Sequence, residues 1–184
     1  FKEETDNRIH EYAELPLSHL GFKLRYVDVS KTLPTDEQMK DYDYIISWFG
    51  DNTMKGATNY VKWITRQLGN EKKLLVMGDF GFAYEGKEYV AQELKDAFYK
   101  AFGVSFDPDD HADSPLLVEI VKNVPEITEF ERKLKGDVGY FDNLVTLDKN
   151  AKVFLKLKRK DTGSYFDAVF VSDKGGYVAT DYEV

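Results

Sequence analysis

At 184 residues the chain is long enough for one domain with a sizeable core and short for two. Hydrophobic residues at 42% and aromatics at 15% place it among packed globular proteins and exclude a disordered tail. Its formal net charge of -8 repels phosphate backbones and anionic lipid heads, so neither nucleic acid nor a membrane surface is an expected partner.

In chain order, residues Thr5 to His19 carry Ile9, Tyr12, Ala13 and Leu17 at helical spacing, with Pro16 late and Gly21 as a stop. Phe22 to Val29 alternates apolar and polar, as a half-exposed strand does. Pro34-Thr35-Asp36-Glu37 reads as a turn into a short helix capped by Thr35 or Asp36. Tyr44 to Phe49 is a continuous apolar run ended by Gly50-Asp51-Asn52, the pattern of a strand covered on both faces. A helix from Met54 to Leu68 buries Ala57, Tyr60, Val61, Ile64 and Leu68, and Gly69-Asn70 closes it. Lys73 to Met77 is a second buried strand, stopping at Gly78-Asp79-Phe80-Gly81. A further amphipathic helix is expected from Lys87 to Phe102, with Gly103 as its C-cap.

Strands separated by helices imply parallel pairing through crossovers. A strand preceding the first helix would complete the pattern. The opening Phe1-Lys2-Glu3-Glu4, without an initiator Met, reads as the start of a fragment of a larger multidomain protein. The last third changes character: a strand at Leu116 to Val121, a short helix at Ile127 to Leu134, and strands at Val153 to Leu157 and Phe166 to Val171. These last two flank Asp161-Thr162-Gly163-Ser164, which is hairpin chemistry. Tyr177-Val178-Ala179 adds one more short strand. With no internal repeat or low-complexity linker, residues 1–184 read as a single α/β domain with a mostly parallel sheet and an antiparallel C-terminal hairpin.

In open α/β sheets, ligands sit beyond the carboxyl ends of the parallel strands. That rule selects Trp48, Phe49, Gly50, Asp51 and Asn52 after one strand and Gly78, Asp79, Phe80 and Gly81 after the next. The bland alternative is that these glycines serve only the turns and Asp79 bonds to local amides. Asp79-Phe80-Gly81 matches a kinase metal motif by chance, since no other kinase element is present. There is no Walker loop, no dinucleotide fingerprint and no nucleophile elbow. No Cys is present, which removes disulfides, zinc–thiolate sites, iron–sulfur clusters and any thiolate nucleophile. The patch Asp107, Asp109, Asp110, His111, Asp113 has oxygen ligands for a divalent ion but no EF-hand spacing, so a solvated loop is the preferred reading. His10 and Glu14 share a helix face and would pair; His19 is read as structural. The run from Lys156 to Lys160 reads as an exposed strand face whose lysines discourage edge pairing. No cofactor and no metal is assigned.

The stretches HEYAELPLSHLGFKLRYVDV (His10 to Val29), Asp43 to Phe49, Met77-Gly78-Asp79-Phe80-Gly81 and Ser172 to Tyr177 together resemble a bacterial exopolysaccharide domain. It is the α/β domain between hydrolase and deacetylase modules in biosynthesis proteins of the PelA type. The resemblance implies a three-layer sandwich like class I glutamine amidotransferases and flavodoxins, within an exported, periplasmic polysaccharide protein. It supplies no catalytic residue that aligns here, and the amidotransferase thiol is missing. Three functions are therefore carried forward. The first is a non-catalytic module that binds glycan or a partner, or orients neighbouring domains, with Trp48, Phe49, Phe80, Phe82 and Tyr84 offering stacking faces. The second is an enzyme using Asp79 with a His such as His10 or His111. The third is a flavodoxin-like flavin or nucleotide binder.

Overall fold

The computed structural model describes residues 7–124 and 141–179. One turn of wider π-type helix, Ile9–Ala13, runs into helix α1, Glu14–His19. The chain then passes through strand β1 (Tyr44–Phe49), helix α2 (Ala57–Gly69) and strand β2 (Lys73–Gly78). A small hairpin of β3 (Tyr84–Glu85) and β4 (Glu88–Tyr89) precedes helix α3 (Gln92–Phe102). Strands β5 (Val104–Ala112), β6 (Val118–Asn123), β7 (Phe141–Thr146), β8 (Lys152–Arg159), β9 (Tyr165–Ser172) and β10 (Gly175–Val178) make up the rest.

The principal sheet has six strands in the order β1-β2-β10-β9-β8-β6. β1 and β10 both run parallel to β2, whereas β10–β9, β9–β8 and β8–β6 are antiparallel. This corrects the expected three-layer, mostly parallel, flavodoxin-like sandwich: the fold is a mixed α/β arrangement on a mixed sheet, with three α-helices among the described residues. The cause is the connections. β1 and β2 are joined through α2, the crossover that parallel neighbours need, while β8, β9 and β10 follow one another through tight turns that make them antiparallel neighbours. β10 reaches β2 only because Gly175 lies against it. A Cβ on that residue, at φ +135°, would stand 1.9 Å from the Leu74 carbonyl oxygen.

Three further expectations change. Phe22 to Val29 is in no sheet. Its alternating side chains are used elsewhere: the Phe22 ring meets Tyr44 edge-on, Tyr26 bonds to Glu14, and Val29 packs on the core. The helix expected from Lys87 starts only at Gln92, because Tyr84 to Tyr89 turns back on itself about Gly86. The acidic segment expected as a loop is strand β5, paired antiparallel with β7 through an irregularity between Asp107 and His111. The Thr35-Asp36-Glu37-Gln38 turn does cap reciprocally, Thr35 N–H donating to Gln38 Oε1 at 2.9 Å and Gln38 N–H to Thr35 Oγ1 at 3.3 Å, but no helix follows. The helix expected at Ile127 to Leu134 lies outside the described residues.

The helical stripe read from α2 is the buried one: Ala57, Tyr60, Val61, Ile64 and Leu68 all face inward, together with Trp63. The core is strongly aromatic. Phe80, Phe82, Phe98, Phe102, Phe166 and Phe170 are each 5% exposed or less, and Phe102 joins α3 to Phe170 of β9 at 6.4 Å. Full burial of each such ring contributes about 2–3 kcal/mol, so this cluster fixes how α2 and α3 lie on the sheet.

Candidate functional site

The carboxyl ends of β1 and β2 lie side by side, Phe49 opposite Gly78. Beyond them the two loops are joined by Asn52. Its amide Nδ2 donates to Asp79 Oδ1 at 2.9 Å, and its Oδ1 accepts the Gly81 N–H at 3.3 Å. The Asn52 carbonyl accepts the Tyr84 N–H at 3.0 Å, and the Phe49 carbonyl accepts the Asp79 N–H at 3.0 Å. Asn52 therefore ties both strand ends together through its side chain and the β3–β4 hairpin through its backbone carbonyl.

The hairpin reaches further. Glu85 accepts the Gly56 N–H on Oε1 at 3.1 Å and the Thr58 N–H on Oε2 at 3.2 Å. These amides begin α2, where unpaired N–H groups and the helix dipole favour a negative charge. Hydrogen bonds from the Thr58 side chain and backbone, and then from the Gly56 backbone, hold the Glu85 carboxyl below the usual glutamate range. In nucleotide- and flavin-binding α/β proteins a phosphate occupies such a helix start. Here the chain's own carboxylate does.

Of the nine residues selected from the strand-end rule, Asn52 is the tie just described, and seven others, the candidate ligand-binding residues, are placed as follows. Trp48 and Phe49, being successive strand residues, point to opposite faces of the sheet. Trp48 packs on Tyr12 with ring centroids 6.0 Å apart, and Phe49 meets Tyr60 edge-on at 5.6 Å. Gly78 and Gly81 are both buried at positive φ, +76° and +74°. A Cβ on Gly81 would come within 2.6 Å of the Phe49 ring, so the glycine is what lets that ring lie flat over the turn. Asp51 is exposed and accepts the Thr53 N–H at 2.6 Å. Asp79 is half-buried and held by Asn52. Phe80 lies in the core, stacked on Phe82 at 5.5 Å and on Tyr177 at 5.9 Å. Phe80 and Phe82 therefore present no ring face for a sugar, while exposed aromatics of this region are Tyr89, 4.6 Å from Tyr84, and Tyr12, against Trp48.

Beneath the rim, Tyr60 hydrogen-bonds Ser47, and burial pushes its phenol far above the usual tyrosine range. It stays neutral at physiological pH and is no ready proton acceptor.

The other sequence candidates resolve into structural ties. His10 Nδ1 bonds to Glu14, as the helix spacing requires, and the Tyr26 hydroxyl donates to the same carboxylate at 2.7 Å. Those two bonds, Tyr26 first, lower the Glu14 carboxyl and fasten the helix to the extended segment. In the acidic patch, burial opposes ionisation of Asp110, but bonds from Ser164, Asn143 and Arg159 outweigh it and keep its pKa low. Arg159 Nη1 stands 2.8 Å from Asp110 Oδ1 and the same guanidinium grips Asp161 through Nε and Nη2. Among the described residues no group of three or more His, Asp or Glu is placed to hold a metal. The basic run lies on β8, an interior strand between β9 and β6, so its lysines protect no sheet edge. Lys156 instead stands 3.0 Å from Asp167.

Glu85 escaped the sequence reading, and the reason is positional. Gly56 precedes α2 with no capping side chain of its own, and the missing cap is the one local hint that a distant carboxylate supplies it.

No protein-family model, no curated protein and no solved structure matches this chain. Among the described residues no helix is long and apolar enough to cross a membrane.

Proposed function

We propose that this domain binds and positions rather than carries out chemistry, as a module of an exported polysaccharide-processing protein that engages glycan or a partner, or orients neighbouring hydrolase and deacetylase domains. The observation that carries the reading is the rim itself. Where α/β sheets hold substrates and cofactors, the side chains of this chain are committed to one another: Asn52 to Asp79 and Gly81, Glu85 to the start of α2. An acid–base Asp79 would work with its Oδ1 already held by Asn52. A flavin or nucleotide phosphate would have to displace Glu85. The polysaccharide setting is supported by the resemblance of His10 to Val29 and the strand-end stretches to PelA-type domains.

Isothermal titration with oligosaccharides of both charge classes, partially deacetylated amino-sugar oligomers and uronic-acid oligomers, tests the glycan form, with measurable heat for at least one as the expected result and silence with every oligomer as its refutation. Asp79→Asn in the full-length parent separates the enzyme reading. Unchanged rates for every parent reaction are expected, and a fall of about 100-fold or more, the scale of a lost general acid or base, would make Asp79 catalytic.

A further inference from the structure

Away from the strand ends, a cleft of about 510 Å³ lies between the segment Val29–Thr35 and the outer face of α2. That volume falls in the range of about 300–1,000 Å³ common for small-ligand sites. Its walls are fastened. Trp63 Nε1 donates to the Pro34 carbonyl at 2.8 Å, while Arg66 Nε and Gln67 Nε2 both donate to Asp36 Oδ1, at 3.0 and 2.7 Å. The α2 wall carries Asn59, Lys62, Trp63 and Arg66, spaced so that all four share one helix face. Lys31 stands on the wall opposite.

The charges there do not cancel. Lys31 is paired with Asp28 at 2.9 Å and Arg66 with Asp36 at 3.0 Å. Lys62 is exposed and makes no ion pair among the described residues. The cleft thus holds one cation with no ion pair among the described residues, and Asn59 and Thr32, both able to hydrogen-bond, line it as well. An ammonium flanked by neutral hydrogen-bonding groups suits a ligand that carries both a negative charge and hydroxyls.

We infer that this cleft is a binding subsite for an acidic oligosaccharide, with Lys62 meeting a sugar carboxylate and Asn59 and Thr32 bonding to neighbouring hydroxyls. The inference rests on the binding-module reading and names its ligand class. Lys62 is exposed, and Ala is the best helix former, so Lys62→Ala leaves α2 intact.

The test is calorimetric titration of the whole chain and of Lys62→Ala with trigalacturonate, alongside neutral chitotriose, inorganic phosphate and the partially deacetylated amino-sugar oligomers. Trigalacturonate should bind at least about tenfold more tightly than chitotriose or phosphate, and Lys62→Ala should weaken it about tenfold, the value of one charge-assisted bond. Lys62→Arg should restore most of the loss. Trigalacturonate binding no better than phosphate or chitotriose, or binding unchanged in Lys62→Ala, overturns the subsite. Amino-sugar oligomers that bind equally to both proteins while trigalacturonate does not would overturn the cleft alone; silence with every oligomer would overturn the glycan reading with it.

Discussion

The Glu85 carboxylate accepts the Thr58 N–H at 3.2 Å, across a separation of 27 residues, and so caps α2 from the tip of the β3–β4 hairpin. This contact links the local chemistry of a helix start to the closure of the strand-end rim. It predicts a pH dependence whose sign follows from the lowered Glu85 pKa. The folded carboxylate keeps its charge to lower pH than the unfolded one, so the unfolded chain takes the proton first. The contribution is full above the ordinary glutamate value of about 4.3 and is lost as pH falls through the folded pKa. The protection of the Gly56 and Thr58 amides, measured against their intrinsic exchange rates, should fall as pH drops below the ordinary glutamate range in the parent chain. In Glu85→Gln that protection should be low and insensitive to the acid step.

Asp167 is 1% exposed on β9. Its Oδ2 accepts the Thr146 N–H at 3.0 Å, joining β7 to the main sheet, and Lys156 Nζ lies 3.0 Å from Oδ1 outside hydrogen-bonding geometry. Asp167→Ala removes the acceptor from a backbone donor and the partner from a half-buried ammonium. A loss of about 2–4 kcal/mol is expected in urea unfolding. Asp167→Asn, which keeps an acceptor oxygen, should cost clearly less.

Two glycines at positive φ should respond very differently to alanine. Gly163, at φ +79°, has open space around it, so Gly163→Ala meets only the backbone penalty of about 1 kcal/mol. At Gly175 the new Cβ would meet the Leu74 carbonyl at 1.9 Å and push β10 off β2. A cost of about 3 kcal/mol or more is expected, enough to leave a marginal domain partly unfolded. Parallel thermal melts of the two variants give the comparison.

Trp63 fastens the segment before Asp36 to α2 through its indole N–H on the Pro34 carbonyl. Trp63→Phe keeps most of the apolar contact and deletes the donor. It should cost about 1–2 kcal/mol and loosen Val29 to Thr35, read as faster amide exchange there.

These relationships mark what the sequence could and could not reveal. α2, β1, β2 and the β8–β9 hairpin were legible because each signal is local: a helical stripe, an apolar run, a turn rich in Asp and Gly. β5 was not, since Asp107, Pro108, Asp109 and Asp110 oppose strand formation on their own and are carried by pairing with β7 and by Arg159. Phe22 to Val29 failed in the opposite sense, with a strand's alternation but no sheet to join. The ends of β1 and β2 were legible in the sequence, yet the state of the side chains there was hidden. Whether Phe80 faces solvent or core, and whether a helix start is vacant or filled by Glu85, depends on residues far away in the chain.

The claim most exposed to disproof is that the strand-end rim is closed by its own side chains. Amide chemical shifts of Thr58 and Gly81, followed as flavin mononucleotide is added to the chain, test it directly. The account predicts that both stay fixed at millimolar ligand, with Glu85 still on α2. Saturable movement of Thr58 and Gly81 together would mean that a phosphate takes the place of Glu85, and the closed rim would be contradicted.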